Sequence, residues 1–458
     1  MKKLSLILAS MILLSSCKLD KSYASREATE YKQENANTTA ANIGQVNFTL
    51  DAMGSFSLAS LFKVNIMPIK IYGTALLLME PGADQNKLDS KDVPMAMQKF
   101  GFIHPDKIAN WKTELSPEPK MDGSLGFVHT QINQVVFGQK ISIEVANITC
   151  AACHSSITYD ANGNPQNKAW LGAGNSSLNI DGFLNQIYFG LKKGMQNPDK
   201  FLSKIREAYP AMSALEEKTI KKYIFPKIVK SLNDYKVMNR VLPFPNGGPG
   251  HTNGLGAFKR DANILKNPFT FHDNEAGIVG IPNITDRAFR SSLTIDGAYG
   301  VIGKARFERF NRDQAVDPTH IDDLSDLTTF FTYSAMGNSI NNIEPNIYKT
   351  KEIYVNFLKE ATPNKFPGII NQEKALRGES VYRQSCASCH GDYSPGVENV
   401  QLLSFPNKHI PQNLMGTDPY RWQKLDKSIT DFTFTNIFNK YINAGHSLGG
   451  YVSPLLSG

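Results

Sequence analysis

Two short runs in this chain carry residues able to do redox chemistry: Cys150-Ala151-Ala152-Cys153-His154 and Cys386-Ala387-Ser388-Cys389-His390. Two cysteines separated by two residues put both sulfurs on one face of a single helical turn. A histidine that follows at once can bring its ring up beneath a metal held there. This spacing is the attachment signature of a c-type haem, in which the thiols add to the two vinyl groups as thioethers and the imidazole becomes the proximal iron ligand. The sequence therefore predicts two covalently bound c-type haems, one held by Cys150, Cys153 and His154, the other by Cys386, Cys389 and His390. Structural zinc also uses paired cysteines. The immediate histidine in both copies and the spacing of 236 positions from Cys150 to Cys386 favour haem.

The chain has five cysteines, and the fifth is Cys17. It follows Met1-Lys2-Lys3, an apolar run from Leu4 to Leu14, and Ser15-Ser16. A short basic start, a brief apolar stretch and small residues before the cut read as an export signal over 1–16. The apolar run is shorter than the about 20 residues of a spanning helix. Leu14-Ser15-Ser16-Cys17 is similar to a lipobox, which makes Cys17 the expected lipidation site and the first residue of the mature chain. Lys18 after it resembles lipoproteins sent to the outer membrane. The expected location is the periplasm, anchored to the outer membrane through Cys17. Export agrees with the haem motifs, since c-type maturation takes place outside the cytoplasm.

The 458 residues carry 49 basic and 42 acidic side chains, a formal +7, which falls to +5 without Lys2 and Lys3. That mild balance suits a solvated mixed-charge surface, or docking to acidic redox proteins. No nucleic-acid-binding module is recognisable. The expected partners are periplasmic redox proteins, with the membrane reached through the lipid.

Residues 17–45 read as a polar, flexible tether. A first haem domain with a helical insertion is expected over 46–345, and a second haem domain over 346–458. Alternating stretches at Val64 to Ala75 and Ile141 to Val145 suggest strands. Helical spacing recurs in Phe183, Ile187 and Leu191, and Ser213-Ala214-Leu215-Glu216 reads as a capping box. Pro226 is expected to kink or break its helix. Residues 243–256 are rich in Pro and Gly and read as turns. A further amphipathic helix is expected from Thr319 to Tyr333, and a helix from Gln372 to Gln384 leading into Cys386. Residues 345–367 read as the connection between the haem units.

At Cys150 to His154, Gly248-Pro249-Gly250, Gly378 to Gly391 and Gly416-Thr417-Asp418-Pro419, the chain resembles the bacterial di-haem cytochromes c. That broad grouping holds the di-haem peroxidases, the MauG-type enzymes and the rubber-oxygenase-like proteins. The resemblance is loose over about 90–450. It implies a mainly α fold of two cytochrome c-like haem domains with a helical insertion and some short β-strands. The spacing between motifs is longer than the usual peroxidase interval, and no terminal helix follows His446.

The sixth ligand decides the chemistry. An iron with two protein ligands transfers electrons, and one with an open position can react with oxygen or peroxide. For the second haem, His446 is the preferred sixth ligand and Met415 the alternative; His409 also follows His390. For the first, His251, His272 and Met336 are candidates, beside an open position, while His320 reads as structural. Trp170 and Tyr299 read as core aromatics or electron-path residues, and Asp273 and Glu275 as the acids nearest His272. No catalytic residue is assigned. The expected function is electron transfer by a lipid-anchored di-haem cytochrome; the alternative is a di-haem peroxidase- or oxygenase-like oxidoreductase.

Overall fold

A computed structural model describes residues 25–35, 43–51, 68–233 (except 115, 122, 137 and 161), 246–254, 277–335 (except 302 and 303), 347–424 (except 362, 367 and 398), 443–444 and 448–457. Cys17, His272, Asp273, Glu275, Met336 and His446 lie outside the described residues.

Helix makes up 45% and strand 16% of the described residues, with the strands in several small sheets. The fold is therefore mixed α/β, which corrects the expected mainly α pair of cytochrome c-like domains. The largest strand feature is a hairpin, Phe127–Val136 paired antiparallel with Gln139–Ile148 in unbroken register from Phe127–Ile148 to Val136–Gln139. A three-stranded sheet orders Lys107–Ile108, Pro165–Leu171 and Ser155–Tyr159. The remaining sheets use strands of two to four residues, several of them joined over long sequence distances. Phe310–Asn311 pairs with Leu402–Phe405, and His409–Pro411 pairs with Gly450–Val452.

Two hydrophobic cores organise these elements. The first gathers the helices Ile69–Leu78, Val93–Gln98, Ile180–Gly194, Pro198–Ala208 and Phe225–Asn233 under the hairpin. Ile69–Leu78 replaces the expected strand: it is buried from Ile71 to Leu77, so its apolar residues leave no helical period to read. Gly190 lets the helix Ile180–Gly194 lie directly on Ala75, whose carbonyl would meet any β-carbon there at 1.8 Å. Ser213 caps Ala214–Thr219, its Oγ accepting from the Glu216 amide at 3.1 Å, but the expected capping box is not closed, because the Glu216 carboxylate turns to Lys70 Nζ at 2.6 Å. Pro226 does not break the chain into separate helices. A π-helical stretch, Ile220–Ile224, precedes it, and Pro226 falls in the first turn of the next helix, where its missing N–H costs least.

The second core joins Ile43–Leu50, Pro318–Ala335 and Ile347–Asn356 to Leu402 and Phe405. Ile347–Asn356 packs on both other helices, so the stretch expected to connect the haem units is partly core. The tether expected over 17–45 contains the helix Arg26–Glu34, with Ala28 and Tyr31 buried in this core. No helix among the described residues is long and apolar enough to cross a membrane.

Candidate functional site

The first Cys-x-x-Cys-His turn lies where the two cores meet. Ala151 is buried in the second and Ala152 in the first, and the flanking Cys150 and Cys153 pack one against each. Thr149 caps the turn: its Oγ1 accepts from the Ala151 amide at 3.2 Å and donates to the Thr49 carbonyl at 3.1 Å. The turn's carbonyls are engaged in sequence. Cys150 O accepts from the His154 amide at 2.9 Å, and Cys153 O from the Asn175 amide at 2.8 Å. Ala152 O accepts from Asn175 Nδ2 at 3.1 Å, and His154 O from the Gly172 amide at 2.8 Å. Gly126, at φ +76°, lies so close that a β-carbon would come within 2.1 Å of the Ala152 nitrogen.

The second turn is supported differently. The helix Gln372–Ser385, capped by Asn371 on the Lys374 amide at 2.9 Å, runs straight into Cys386 and contributes no buried residue. Ion pairs at helical spacing, Arg377–Glu373 and Arg383–Glu379, line it instead. The turn Ala387–His390 ends on Gly391 at φ +99°. Ser453 Oγ donates to Cys389 O, and Tyr382 OH donates to Gly391 O at 2.8 Å.

Both motif histidines make the same bond. His154 Nδ1 lies 2.9 Å from Pro282 O, and His390 Nδ1 lies 2.9 Å from Pro454 O. A carbonyl only accepts, so each Nδ1 carries the proton and each Nε2 presents its lone pair. That is the tautomer and orientation a metal-ligating imidazole needs. Burial holds His154 below the usual imidazole range, with the Pro282 carbonyl opposing, so this ring is neutral. Burial also pushes the Cys150 and Cys153 thiols up to about 12. All four motif cysteines are half-buried and none is in a disulfide.

These residues fit covalent haem: paired thiols on one turn and an imidazole oriented to offer Nε2, with an apolar setting at the first turn. At the second turn the apolar surface is exposed. Leu376 and Val381 stand out from the helix, and Leu456 is exposed two residues beyond Pro454. As to zinc, no group of three or more His, Cys, Asp or Glu side chains able to hold an ion occurs among the described residues.

No family model matches the chain, and no curated protein or solved structure is significantly similar to it.

The structure separates the other candidates. His251 is exposed, with Nδ1 on Pro249 O at 2.9 Å. Its strand pairs with Val279–Gly280, the segment that goes on to present Pro282, so His251 belongs to the element backing His154. His409 stands in the equivalent place at the second turn, on the strand paired with Gly450–Val452 just before Pro454. His320 is fully buried, its Nε2 donating to Ala288 O at 2.8 Å and its ring stacked on Phe310, which makes it structural. His104 and His129 bond Ser124 Oγ and Glu27. Met415 ends the short helix Gln412–Met415 and is 37% exposed. The strand Asn443–Ala444, two residues short of His446, pairs with Tyr299–Gly300. Tyr299 is buried against Phe331, and Trp170 is half-buried in the strand Pro165–Leu171.

Residue type did not reveal Pro282, Pro454, Asn175 or Gly126. The two prolines act through backbone carbonyls 128 and 64 residues from their histidines, and no local pattern encodes such a contact.

Proposed function

We propose that the chain is a di-haem c-type cytochrome that carries electrons between redox proteins in the periplasm, held at the outer membrane through lipidated Cys17. The observation that carries this reading is the repeated histidine–proline bond: two separate Cys-x-x-Cys-His turns, each with its imidazole fixed to offer Nε2. Bound haem iron would supply the one-electron chemistry. Cys150, Cys153, Cys386 and Cys389 would hold the two macrocycles covalently. His154 and His390 would be the proximal ligands, each oriented by its proline carbonyl. Burial, hydrogen bonding to the ligand and solvent access are the protein's means of setting the potentials. His446, with Met415 as the alternative, is proposed as the sixth ligand of the second haem.

Low-temperature EPR of the oxidised protein, with optical spectra before and after peroxide, tests the electron-transfer reading. It requires two low-spin signals that peroxide leaves unmoved. A high-spin signal that shifts with peroxide would replace it with an oxidoreductase having one open iron.

A further inference from the structure

The segment that leaves Pro282 turns inward, burying Arg287 and half-burying Arg290. Arg287 is 7% exposed; its Nη1 donates to Arg290 O at 3.1 Å, and its Nη2 is enclosed without a hydrogen-bond partner. Arg290 donates Nη2 to Thr294 O at 3.1 Å, and its Nε is likewise enclosed without a partner. Among the described residues no carboxylate pairs with either. Asp296, whose charge reaches Arg290, is committed to Arg421 Nε at 2.8 Å, to Thr294 Oγ1 at 2.6 Å and to the Ala298 amide at 3.0 Å. Asp286 bonds Ser457, with Arg312 as its nearby cation. Burial, then repulsion from Arg287, brings the Arg290 guanidinium down to about 9. A buried cation beside a half-buried one, each with an enclosed, orphaned N–H group, is costly unless an anion shares the space. The planar guanidinium fork suits a carboxylate. The site borders the first turn through a run of backbone bonds: the Arg287 amide donates to Ile284 O at 3.0 Å, the Ile284 amide to Gly172 O at 2.8 Å, and the Gly172 amide to His154 O at 2.8 Å.

We propose that Arg287 and Arg290 form a buried carboxylate-binding site beside the first Cys-x-x-Cys-His turn, filled by a propionate of the haem held there. The propionate assignment rests on the haem reading above; the carboxylate site itself does not, because a small carboxylate from solution has the same chemistry.

The test compares mature wild-type protein with Arg287→Gln, Arg287→Lys and Arg290→Gln. Haem content comes from denaturing mass and pyridine haemochrome, and the potential of each haem from optical redox titration. Melting temperature is read in acetate and in chloride. Arg287→Gln should keep both haems yet lower the potential of one only, since losing a nearby positive charge favours the oxidised iron. Arg287→Lys should recover part of that shift, and serves alone if the glutamine variant does not fold. Unchanged potentials with both haems attached would overturn the propionate assignment. So would an Arg287-dependent rise in melting temperature with acetate in haem-loaded protein, which would give the site to a solution anion. Wild-type protein without covalent haem would sink the haem reading instead. Acetate would then decide alone: Arg287-dependent stabilisation supports the carboxylate site, and none overturns it.

Discussion

The turn at 150–154 is enclosed where two cores meet, whereas the turn at 386–390 extends a helix that buries nothing. Both end on a histidine fixed by a proline carbonyl at the same distance. The local device is thus independent of its surroundings: four residues of helix and one distant carbonyl suffice to orient the ligand. The surroundings set everything else. The first site is welded to the fold through Ala151 and Ala152, buried in the two cores. The second, with exposed Leu376, Val381 and Leu456 on its supporting elements, is the one a protein partner in solution would meet. On the electron-transfer reading, electrons enter or leave at the second site and the first is the interior station.

Removing one attachment cysteine should separate the two sites most sharply. Cys153→Ala and Cys389→Ala should each lose covalent haem at that site alone, read by peptide mapping. Only the first should also lower the melting temperature by many degrees, because only that turn joins the cores. Equal melting temperatures would break the comparison.

Gly126→Ala follows in size. Its β-carbon has no room against Ala152, and φ +76° adds strain, so a loss of about 3 kcal/mol or more is expected in denaturant unfolding. A small loss would mean the first turn is held more loosely than its hydrogen bonds indicate.

Acid should act on the second core, where His320 stacks on Phe310. Burial, with help from Lys304 and Arg287, lowers His320 from 6.5 to about 4 in the folded chain, against the Ala288 carbonyl and Asp317. A folded value below the unfolded one means the native state favours the neutral ring. The stability is whole above about pH 6.5 and is lost as pH falls towards 4, by about 3 kcal/mol in all. His320→Gln should flatten that part of a stability–pH curve, and an unaltered slope would reject the assignment.

The smallest effect belongs to the exposed helix. A β-carbon at Gly378 meets nothing within 4 Å, so Gly378→Ala should stabilise by up to about 1 kcal/mol through helix propensity alone. Destabilisation there would show that the helix packs on something.

Where periodicity was strong, the sequence could be read. Phe183, Ile187 and Leu191 marked Ile180–Gly194, and Thr319 to Tyr333 marked Pro318–Ala335; Gln372–Ser385, which buries nothing, was instead placed by likeness to the helix that precedes the motif in small cytochrome c domains. The reading failed where burial erased the pattern, as in Ile69–Leu78, and where strands of two residues drew their pairing from chain far away, as in Phe310–Asn311. The mainly α fold came from the resemblance to di-haem cytochromes c, and strands that short gave nothing in the sequence to correct it. At the proposed sites, the six motif residues stood out by their spacing, which covalent haem attachment would require. Pro282, Pro454 and Asn175 were not, since a backbone carbonyl or a single amide has no sequence signature until folding brings it in.

The central claim is that both turns carry covalent haem. Denaturing intact mass of the exported protein, followed by peptide mapping, tests it most directly. The account predicts two haem additions, one on the peptide with Cys150 and Cys153 and one on that with Cys386 and Cys389. A chain at its haem-free mass would contradict it.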